Sequence, residues 1–369
     1  KRWTTNGGVA NLFTVFVRTP DSGPAGRKNP ISAFLVPRDL PGVTPGKEED
    51  KLGLKGSSTT DLILENVPVP EANLIGEPGR GFKVAMEILN TGRLSLAACC
   101  LGSAKEMIDQ AVIFARERTA FGKTISEFEM VQDKIAEMMA GAYAMESMIY
   151  ATAGLTARPE PIDYSIESAI CKVFATETLW SVVNHAVQIN GGNGFMKEYP
   201  YERFLRDARV NMIFEGTNEI LRLFIALSGM DPREKDGGDS KPPESLRSIH
   251  PDLRPEAGGI EEVTRDLARS VAAVLKEHGK AIAEREFLQQ RISDSVIDLY
   301  AMICCVSRTD RLVQEKGPEG ASRGMLLCRL FCDGARRRIR NHLGMVSENN
   351  DADRRRASEI ACADGGYKI

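Results

Sequence analysis

The chain opens with short apolar runs that are separated by turn residues. Three runs rich in β-branched and aromatic residues lie between segments of Gly, Pro, Asp and Ser: Leu12 to Arg18, Ile31 to Arg38 and Thr60 to Pro70. Runs of this length and composition, bounded in this way, are typical of strands joined by turns. We therefore predict a partial antiparallel β-domain over residues 1–76.

From Gly81 onward the apolar positions recur with a helical period. Residues 166–187 carry one such stripe, and comparable patterns cover roughly Gly81 to Arg118, Ser126 to Thr156 and Tyr201 to Met230. Four long helices with short connections favour an antiparallel bundle, which we place at residues 77–230.

A polar stretch rich in Gly and Pro, Asp231 to Ser248, interrupts the helical pattern. It is typical of a linker, which we place at residues 231–256. Helical periodicity then returns and predicts an additional helical domain at residues 257–347. The remaining residues, 348–369, have little to bury and are expected to form a mobile tail. The predicted fold class is α+β, with antiparallel strands first and two helical units after them.

Composition and charge exclude several classes of protein. The chain has 369 residues, 42% of them apolar, with a net charge of −3 and a pI near 6.0. Such a balance gives no general attraction to nucleic acid or to an anionic membrane. No apolar run approaches the roughly 20 residues of a membrane span. The chain begins at Lys1 without Met, and we interpret this start as a truncation, so no targeting signal can be read from it.

The eight cysteines lie inside helical patterns rather than at the spacings of a disulfide framework. We interpret them as buried thiols of a reducing compartment. Cys328 and Cys332 are one helical turn apart and could in principle hold a metal ion. None of the four histidines is close in sequence, so core packing is the favoured interpretation and we predict no metal site.

Glu215 is the first candidate for chemistry. It follows the apolar residues Met212, Ile213 and Phe214 and precedes Gly216, and Thr217 suits the N-cap of the apolar helix that comes next. An apolar flank makes a carboxylate more basic, whereas a helix N-terminus stabilises its anion. Two interpretations stay open at this point: a catalytic base, and a carboxylate that interacts with helix amides.

Further segments have both a functional and a structural interpretation. The glycines of "QINGGNGF" (188–195) could present backbone N–H groups to a ligand or could cap a helix. The basic residues of "FARERTAFGK" (114–123) could contact phosphate or complete a helix dipole. Arg93 interrupts an apolar helix and needs a partner, which could be an ion pair within the bundle or a ligand. Trp3 offers a flat aromatic face beside two threonines.

Taken together and in order, these segments resemble the acyl-CoA dehydrogenase family of flavoenzymes. The matching motifs are "RWTTNGG", "IGEPGRGF", "LNTGR", "RTAFGK", "QINGGNGF" and "YERFLRDARVNMIFEGTNEI", and they cover roughly Lys1 to Met230. The later segment "EREFLQQRISDSVIDLYAM" resembles the extra C-terminal domain of the very-long-chain type and of its relative, family member nine.

The resemblance implies a catalytic role and a cofactor. Glu215 would take the α-proton of a fatty acyl-CoA while the β-hydride passes to N5 of FAD. The backbone amide of the base and a flavin hydroxyl would stabilise the thioester carbonyl, as in an oxyanion hole. The substrate site would comprise Asn90, Thr91, Gly92, Arg93 and Gly216. The residues implied to contact FAD are Trp3, Thr4, Thr5, Arg118, Phe128, Gln188, Ile189, Asn190, Gly191, Gly192, Thr217, Asn218 and Glu219.

The resemblance also assigns partners. Arg118, Phe128 and residues 188–192 would reach the FAD of a neighbouring subunit, which implies a homodimer. The expected function is mitochondrial β-oxidation of long- or very-long-chain acyl-CoA to trans-2-enoyl-CoA, with electrons passed to an electron-transfer flavoprotein. The alternative is an assembly factor for respiratory complex I, of the family-member-nine type, with little or no enzymatic role.

The sequence departs from the family pattern in two places. The N-terminal helical domain and an upstream strand of the flavin pocket are missing, so this chain alone is expected to be inactive. The very-long-chain type docks peripherally to the inner membrane through a basic amphipathic segment, and a short polar linker stands there instead. Location in the matrix or at the inner membrane is inferred from the resemblance alone.

Overall fold

The computed structural model describes residues 1–19, 30–160, 162–230 and 248–368. The strands among them are β1 (Thr4–Thr5), β2 (Leu12–Arg18), β3 (Ile31–Pro37), β4 (Val43–Glu48), β5 (Thr59–Leu64), β6 (Leu74–Ile75), β7 (Thr119–Ala120) and β8 (Lys123–Thr124). The first six form two antiparallel sheets of three strands, in the orders β1-β5-β4 and β2-β3-β6. The predicted antiparallel strands are confirmed, although β5 ends at Leu64, well before Pro70.

The first long helices form the predicted antiparallel bundle. Their bounds are α1 (Gly81–Glu117), α2 (Glu129–Thr156), α3 (Ser165–Asn190), α4 (Gly192–Phe195), α5 (Tyr201–Ala208) and α6 (Asn218–Gly229). The most extensive helix pair is α1 with α3. Ala97, Ala104 and Ala111 recur every seventh residue on α1, fully buried, and such small side chains let the α3 backbone approach closely.

The predicted helical segment Tyr201 to Met230 is broken in the structure. After α5 a short 3₁₀ turn covers Arg209–Met212, and α6 begins only at Asn218. Glu215 and Gly216 lie in the break with φ angles of 58° and 91°. Because a right-handed helix cannot contain two successive residues with positive φ, the chain must leave the helix here.

The C-terminal helices pack directly on the bundle. They are α7 (Arg254–His278), α8 (Glu286–Gly320), α9 (Ser322–Ser347) and α10 (Asp351–Asp364), and α8 is kinked at Gly317. Helices α8 and α9 contact α2, and α8 also contacts α6. The hydroxyls of Tyr143 and Thr309 lie 2.7 Å apart across this contact. One cluster of buried apolar side chains therefore runs through both helical units.

The predicted linker and the predicted tail differ from the structure or lie partly outside the described residues. Residues 231–247 of the predicted linker lie outside the described residues, and α7 begins inside the remainder of that linker. The tail expected to be mobile contains helix α10, which buries no side chain. Arg291 of α8 forms a bidentate ion pair with Asp351 at the start of α10. The sequence analysis did not predict this helix, and its mobility stays a prediction.

Two expectations about apolar and thiol groups are corrected. An 18-residue window of α1 has a mean hydropathy of 1.3, so this helix could cross a membrane by length and composition alone, although no such run had been expected. Core helices of soluble proteins have the same length and composition. Cys99 and Cys362 are exposed, whereas the other six thiols, including Cys328 and Cys332, are buried.

Candidate active site

Glu215 lies at the break between α5 and α6, close to the first third of α1. Its side chain is half-buried, and no hydrogen bond to its carboxylate is found within the described part of the chain. The expected apolar flank is not a buried one, because Ile213 and Phe214 are both exposed in this chain. The carboxylate is therefore held in place by its backbone rather than by partners of its own.

Gly92 of α1 faces the Glu215 carboxylate. A Cβ atom at position 92 would lie 2.9 Å from Glu215 Oε2 and 3.4 Å from its Cδ. Such a contact is shorter than van der Waals separation, so the carboxylate fits against α1 only because residue 92 has no side chain. The structure brings together two residues that the sequence analysis assigned to the same site.

Arg93 holds the backbone beside the carboxylate. Its Nε donates to the Glu215 carbonyl oxygen at 3.3 Å, and another guanidinium nitrogen lies 3.4 Å from Asn90 Oδ1. Burial lowers the pKa of Arg93, and the nearby charge of Glu215 partly offsets this effect. Within the described residues Arg93 therefore has three partners: the Glu215 carbonyl, the side-chain amide of Asn90 and the ring of Phe224, whose centroid lies 6.0 Å from the guanidinium. None of them is an ion-pair partner.

Lys172 is a functional candidate that the sequence analysis missed. It lies on α3 with none of its surface exposed, and its Nζ donates to the Gly216 carbonyl oxygen at 2.8 Å and to Asn218 Oδ1 at 2.7 Å. Burial lowers the pKa of the Lys172 ammonium to about 8. The sequence did contain a signal for this residue, because Lys172 lies between Ile170 and Val173 of the predicted buried stripe. A lysine is rarely buried without a partner, so one at this position indicates a specific polar contact.

The side chain of Asn218 faces the protein interior at the start of α6. Its Nδ2 donates to Thr176 Oγ1 at 3.1 Å and to Glu177 Oε1 at 3.0 Å. Glu177 in turn accepts two hydrogen bonds from Arg222, and Arg222 Nε donates to Asp294 of α8 at 2.7 Å. A chain of polar contacts thus runs from the Gly216 carbonyl to the C-terminal helices.

The other residues expected at the start of α6 differ in their surroundings. Thr217 is the N-cap, as the sequence predicts, and its hydroxyl accepts a hydrogen bond from the Ile220 N–H at 3.4 Å. Glu219 is exposed in the first turn of the helix. Only Asn218 of the three has its side chain wholly occupied by internal partners.

A second group of expected cofactor residues lies at the opposite end of the bundle. Arg118 follows the end of α1, Phe128 precedes α2, and residues 188–192 cover the end of α3. At about 1.5 Å per residue, Gly92 and Arg118 are separated by about 40 Å along α1. The structure does not bring this group together with Glu215.

This end of the bundle carries an aromatic pair, with one ring exposed, and glycines with free space beside their backbone. Phe121 is 96% exposed and meets Phe128 edge to face, with ring centroids 6.3 Å apart. Gly191, with a φ of 55°, ends α3 as a helix cap, and a Cβ at either Gly191 or Gly192 would meet no atom within 4 Å. The glycine loop therefore both caps the helix and leaves space beside its backbone.

The N-terminal candidates lie on the edge of a sheet. Thr4 and Thr5 form β1, which pairs with Thr60 and Thr59 of β5. Trp3 is 65% exposed and has a φ of 51°, and the Arg2 guanidinium lies 4.9 Å from its ring centroid. A large aromatic face is thus presented outward, next to hydroxyl groups.

A cavity of about 740 Å³ begins beside Phe214 and follows α1. Leu96, Cys99 and Ser103 of α1 line one wall, and the loop 54–57 lines another. Its volume lies within the usual range for small-molecule sites, about 300–1,000 Å³. The loop is fixed to α5, because the Leu54 N–H donates to Asp207 Oδ1 at 2.6 Å. Gly92, which faces Glu215, shares one face of α1 with Leu96, Cys99 and Ser103, although Gly92 and Glu215 do not themselves line the cavity.

Three family models match this chain in sequence. "Acyl-CoA dehydrogenase, middle domain" matches residues 1–67, "Acyl-CoA dehydrogenase, C-terminal domain" residues 79–230, and "ACAD9/ACADV, C-terminal domain" residues 251–364. The very long-chain specific acyl-CoA dehydrogenases, mitochondrial, of Macaca fascicularis and Homo sapiens are each 40% identical to this chain. In both cases the match covers 95% of this chain and 58% of the relative.

Bacterial proteins are similar over the same span. A probable acyl-CoA dehydrogenase of Bacillus subtilis is 36% identical, over 93% of this chain and 61% of its own length. The crystal structure of an acyl-CoA dehydrogenase complexed with FAD from Bacillus anthracis matches with a TM-score of 0.84 and 33% identity. That match covers 97% of this chain and 65% of the other. The chain spans less than two thirds of the length of these relatives.

Proposed function

This chain belongs to the acyl-CoA dehydrogenase family, and on that premise we propose that the protein oxidises long- or very-long-chain acyl-CoA to trans-2-enoyl-CoA with FAD as oxidant. One observation carries the proposal: the Glu215 carboxylate has no hydrogen-bond partner within the described residues and faces Gly92, and the adjacent Phe214 lines a cavity. Such a carboxylate is free to accept a proton from a ligand.

Glu215 is the base in this reaction. One of its carboxylate oxygens accepts the proton from Cα of the acyl group, which the thioester makes acidic. No hydrogen bond from the backbone N–H of Glu215 is found among the described residues, so this N–H can donate to the thioester oxygen as negative charge develops there. FAD, when bound, supplies the oxidant that removes the β-hydrogen with its electron pair.

The residues of this chain fit a flavin in two separate places. Near the N-terminus, the exposed ring of Trp3 and the hydroxyls of Thr4 and Thr5 suit the face and edge of a flat heteroaromatic ring. At the far end of the bundle, Arg118 and Phe128 offer a cation and an aromatic ring, and Gly191 and Gly192, just after the buried Ile189 and Asn190 of α3, leave open space beside their backbone. Arg118 lies about 40 Å along α1 from Gly92, which faces Glu215, so an FAD whose flavin lies beside Glu215 cannot also reach the far-end group of the same chain. A homodimer, in which each FAD meets both groups from different subunits, accounts for the separation.

The cavity along α1 suits the acyl chain. Its α1 wall is made of Leu96, Cys99, Cys100 and Ser103, which are apolar or small, while charged residues of other elements, Lys55, Arg203, Arg206 and Asp207, also line the cavity. A long acyl chain leaving the Glu215 site would be covered by this wall, which supports the long-chain preference. A mitochondrial location and a very-long-chain substrate are supported by the names of the relatives, whereas the role in β-oxidation and the transfer of electrons to an electron-transfer flavoprotein follow from the family resemblance.

The proposal is tested with the full-length protein loaded with FAD. Palmitoyl-CoA added without oxygen should abolish the yellow flavin absorbance within one turnover. The matched control is the S-hexadecyl thioether of CoA, which keeps the chain but has no carbonyl to acidify Cα, and it should bind without bleaching. If palmitoyl-CoA leaves the flavin oxidised while the protein co-migrates with complex I assembly intermediates, the assembly-factor alternative replaces the enzyme.

A further inference from the structure

Lys172 is a buried cation that the proposed reaction does not use. Its ammonium is removed from water, and its two hydrogen-bond partners, the Gly216 carbonyl and Asn218 Oδ1, are both uncharged. Removing an ammonium from water costs free energy that a methionine of similar length would not cost. A lysine at this position therefore has to do something there that an apolar side chain cannot do.

The two carbonyls next to the base are held by cations from different helices. Arg93 of α1 binds the carbonyl of Glu215, and Lys172 of α3 binds the carbonyl of Gly216. Glu215 and Gly216 both have a positive φ. This conformation is unfavourable for Glu215, because it carries a side chain. Fixing two successive carbonyls fixes the two peptide planes after Glu215, and with them the direction of its side chain.

We propose that Lys172 is a positioning residue of the Glu215 loop, here defined as residues 213–217. By holding the Gly216 carbonyl it keeps Glu215 in the left-handed conformation that directs the carboxylate towards Gly92. The inference rests on the proposed function, in which Glu215 is the base. Lys172 itself does not touch the substrate.

Asn218 sets the orientation of Lys172. Its Oδ1 accepts from the ammonium, while its Nδ2 is held by Thr176 and Glu177. The side chain of Asn218 therefore cannot turn away without breaking its contacts with Lys172, Thr176 and Glu177. Through Glu177, Arg222 and Asp294 the same contacts extend to α8, so the C-terminal helices help to support the loop.

The charged state of Lys172 should matter to the reaction. The charged or titratable groups that act on it are Cys100 and Arg93 of α1, Glu177 of its own helix and Glu215 of the loop. Burial is the dominant influence and lowers the pKa of Lys172 to about 8. The charge-assisted hydrogen bond to Gly216 is therefore full at neutral pH and weakens as the pH rises through about 8.

The test compares Lys172→Met with a matched control in the full-length, FAD-loaded protein. The control is Gln289→Met: Gln289 is equally buried, and its side chain also donates to a carbonyl, that of Ile282, at 2.8 Å. Lys172→Met should lower kcat for palmitoyl-CoA by about 10- to 100-fold with little change in KM, because a base displaced by about 1 Å loses this much. Gln289→Met should keep kcat.

Two further readouts separate positioning from general stability. Amide hydrogen exchange in residues 213–217 should become faster in Lys172→Met and stay unchanged in Gln289→Met. The wild-type kcat should fall above a pH of about 8, and Lys172→Met should lack this fall. Wild-type kcat in Lys172→Met, or unchanged exchange in the loop, would overturn the proposal.

A milder variant covers the case in which Lys172→Met does not fold. Thr176→Val keeps the size of a fully buried side chain and removes the oxygen that accepts from Asn218. It should give a smaller loss of kcat and faster exchange in the loop, and the absence of both would overturn the proposal. If the wild-type protein oxidises no acyl-CoA, the proposed function fails, whereas the exchange measurement still tests whether Lys172 holds the loop.

Discussion

A methyl group on Gly92 would lie 2.9 Å from Oε2 of Glu215, although the two residues belong to distant parts of the chain. The adjacent Arg93 binds the backbone of the same glutamate, so α1 both makes room for the carboxylate and holds its main chain. The position of the carboxylate is thus determined by a helix surface, which is rigid, rather than by a flexible side-chain partner.

Gly92→Ala should therefore impair the reaction more than the fold. The added methyl group pushes the carboxylate away from its position, and we expect kcat/KM for palmitoyl-CoA to fall about 10- to 100-fold. The control is Gly102→Ala on the same helix, where a Cβ meets no atom within 4 Å. It should keep activity and raise the free energy of unfolding by roughly 0.5–1 kcal/mol. Steady-state kinetics of the two variants decide the matter, and equal activities would contradict the assignment.

Glu215→Gln should leave binding intact and remove turnover. The amide has nearly the same shape but cannot accept the α-proton, and loss of a general base typically costs roughly 10²- to 10⁴-fold in kcat. Glu286→Gln, which changes a glutamate in the first turn of α8, is the control and should behave like the wild type. Flavin content, acyl-CoA affinity and kcat are measured together. Near-normal kcat in Glu215→Gln would exclude it as the base.

Palmitoyl-CoA should be a better substrate than octanoyl-CoA. Each further methylene covered by the cavity wall can add up to about 0.8 kcal/mol to transition-state binding, until the cavity ends. Ser103→Phe places a ring in that wall and should lower kcat/KM for palmitoyl-CoA while sparing octanoyl-CoA. The ratio of the two values of kcat/KM is the measurement. A preference for octanoyl-CoA in the wild type would refute the long-chain proposal and leave the family membership untouched.

Glu146 should stabilise the protein in a pH-dependent way. It joins three helices, because Lys105 of α1 and Arg308 of α8 both donate to its carboxylate. Burial raises the pKa of Glu146, but the two hydrogen-bonded cations outweigh this effect and leave the pKa below its ordinary value of 4.5. A depressed carboxyl pKa gives stability that is present above the unfolded value and is lost as the pH falls through the folded value.

At pH 7 we thus expect Glu146→Gln to lose about 1.5–3 kcal/mol in the free energy of unfolding. The difference from the wild type should shrink as the pH falls below 4.5, which urea titrations at several pH values would show. The control is Glu87→Gln, which removes an exposed partner of Lys83 and should change stability by less than about 1 kcal/mol at any pH. A gap that stays constant with pH would contradict the role of the charge.

The elements that follow from local pattern could be predicted from the sequence. Strand β2 has the predicted bounds, α1 ends one residue before the predicted end, and Thr217 caps α6 as expected. These features depend on residues close together in the chain. Helix α10 was not predicted because it has no buried residues, and so no apolar periodicity marks it in the sequence. Its ion pair, between Asp351 and Arg291, joins it to another helix that is distant in sequence.

The site was predictable in its residue types and not in its contacts. The resemblance marked Glu215, Gly92 and Arg93, but nothing local indicates that Gly92 makes room for the carboxylate or that Arg93 binds a carbonyl. Lys172 was overlooked because the apolar periodicity of α3 identifies its buried face but does not show which polar groups of other segments contact that face. Here these groups are the Gly216 carbonyl and Asn218. The separation of Arg118 from Gly92 likewise became visible only once α1 was seen to continue from Gly92 to Glu117, the residue before Arg118.

The shared apolar core has a thermodynamic consequence. Ala144 and Cys171 of the bundle belong to the same buried cluster as Met302 and Cys332 of the C-terminal helices. If one unit unfolded, the apolar side chains of the other unit that pack against it would be exposed to water. We therefore expect the two units to unfold together. Two regions matched by separate family models are thus expected to behave as one cooperative unit. Calorimetry should then record a single endotherm for them, with a van't Hoff enthalpy equal to the calorimetric one.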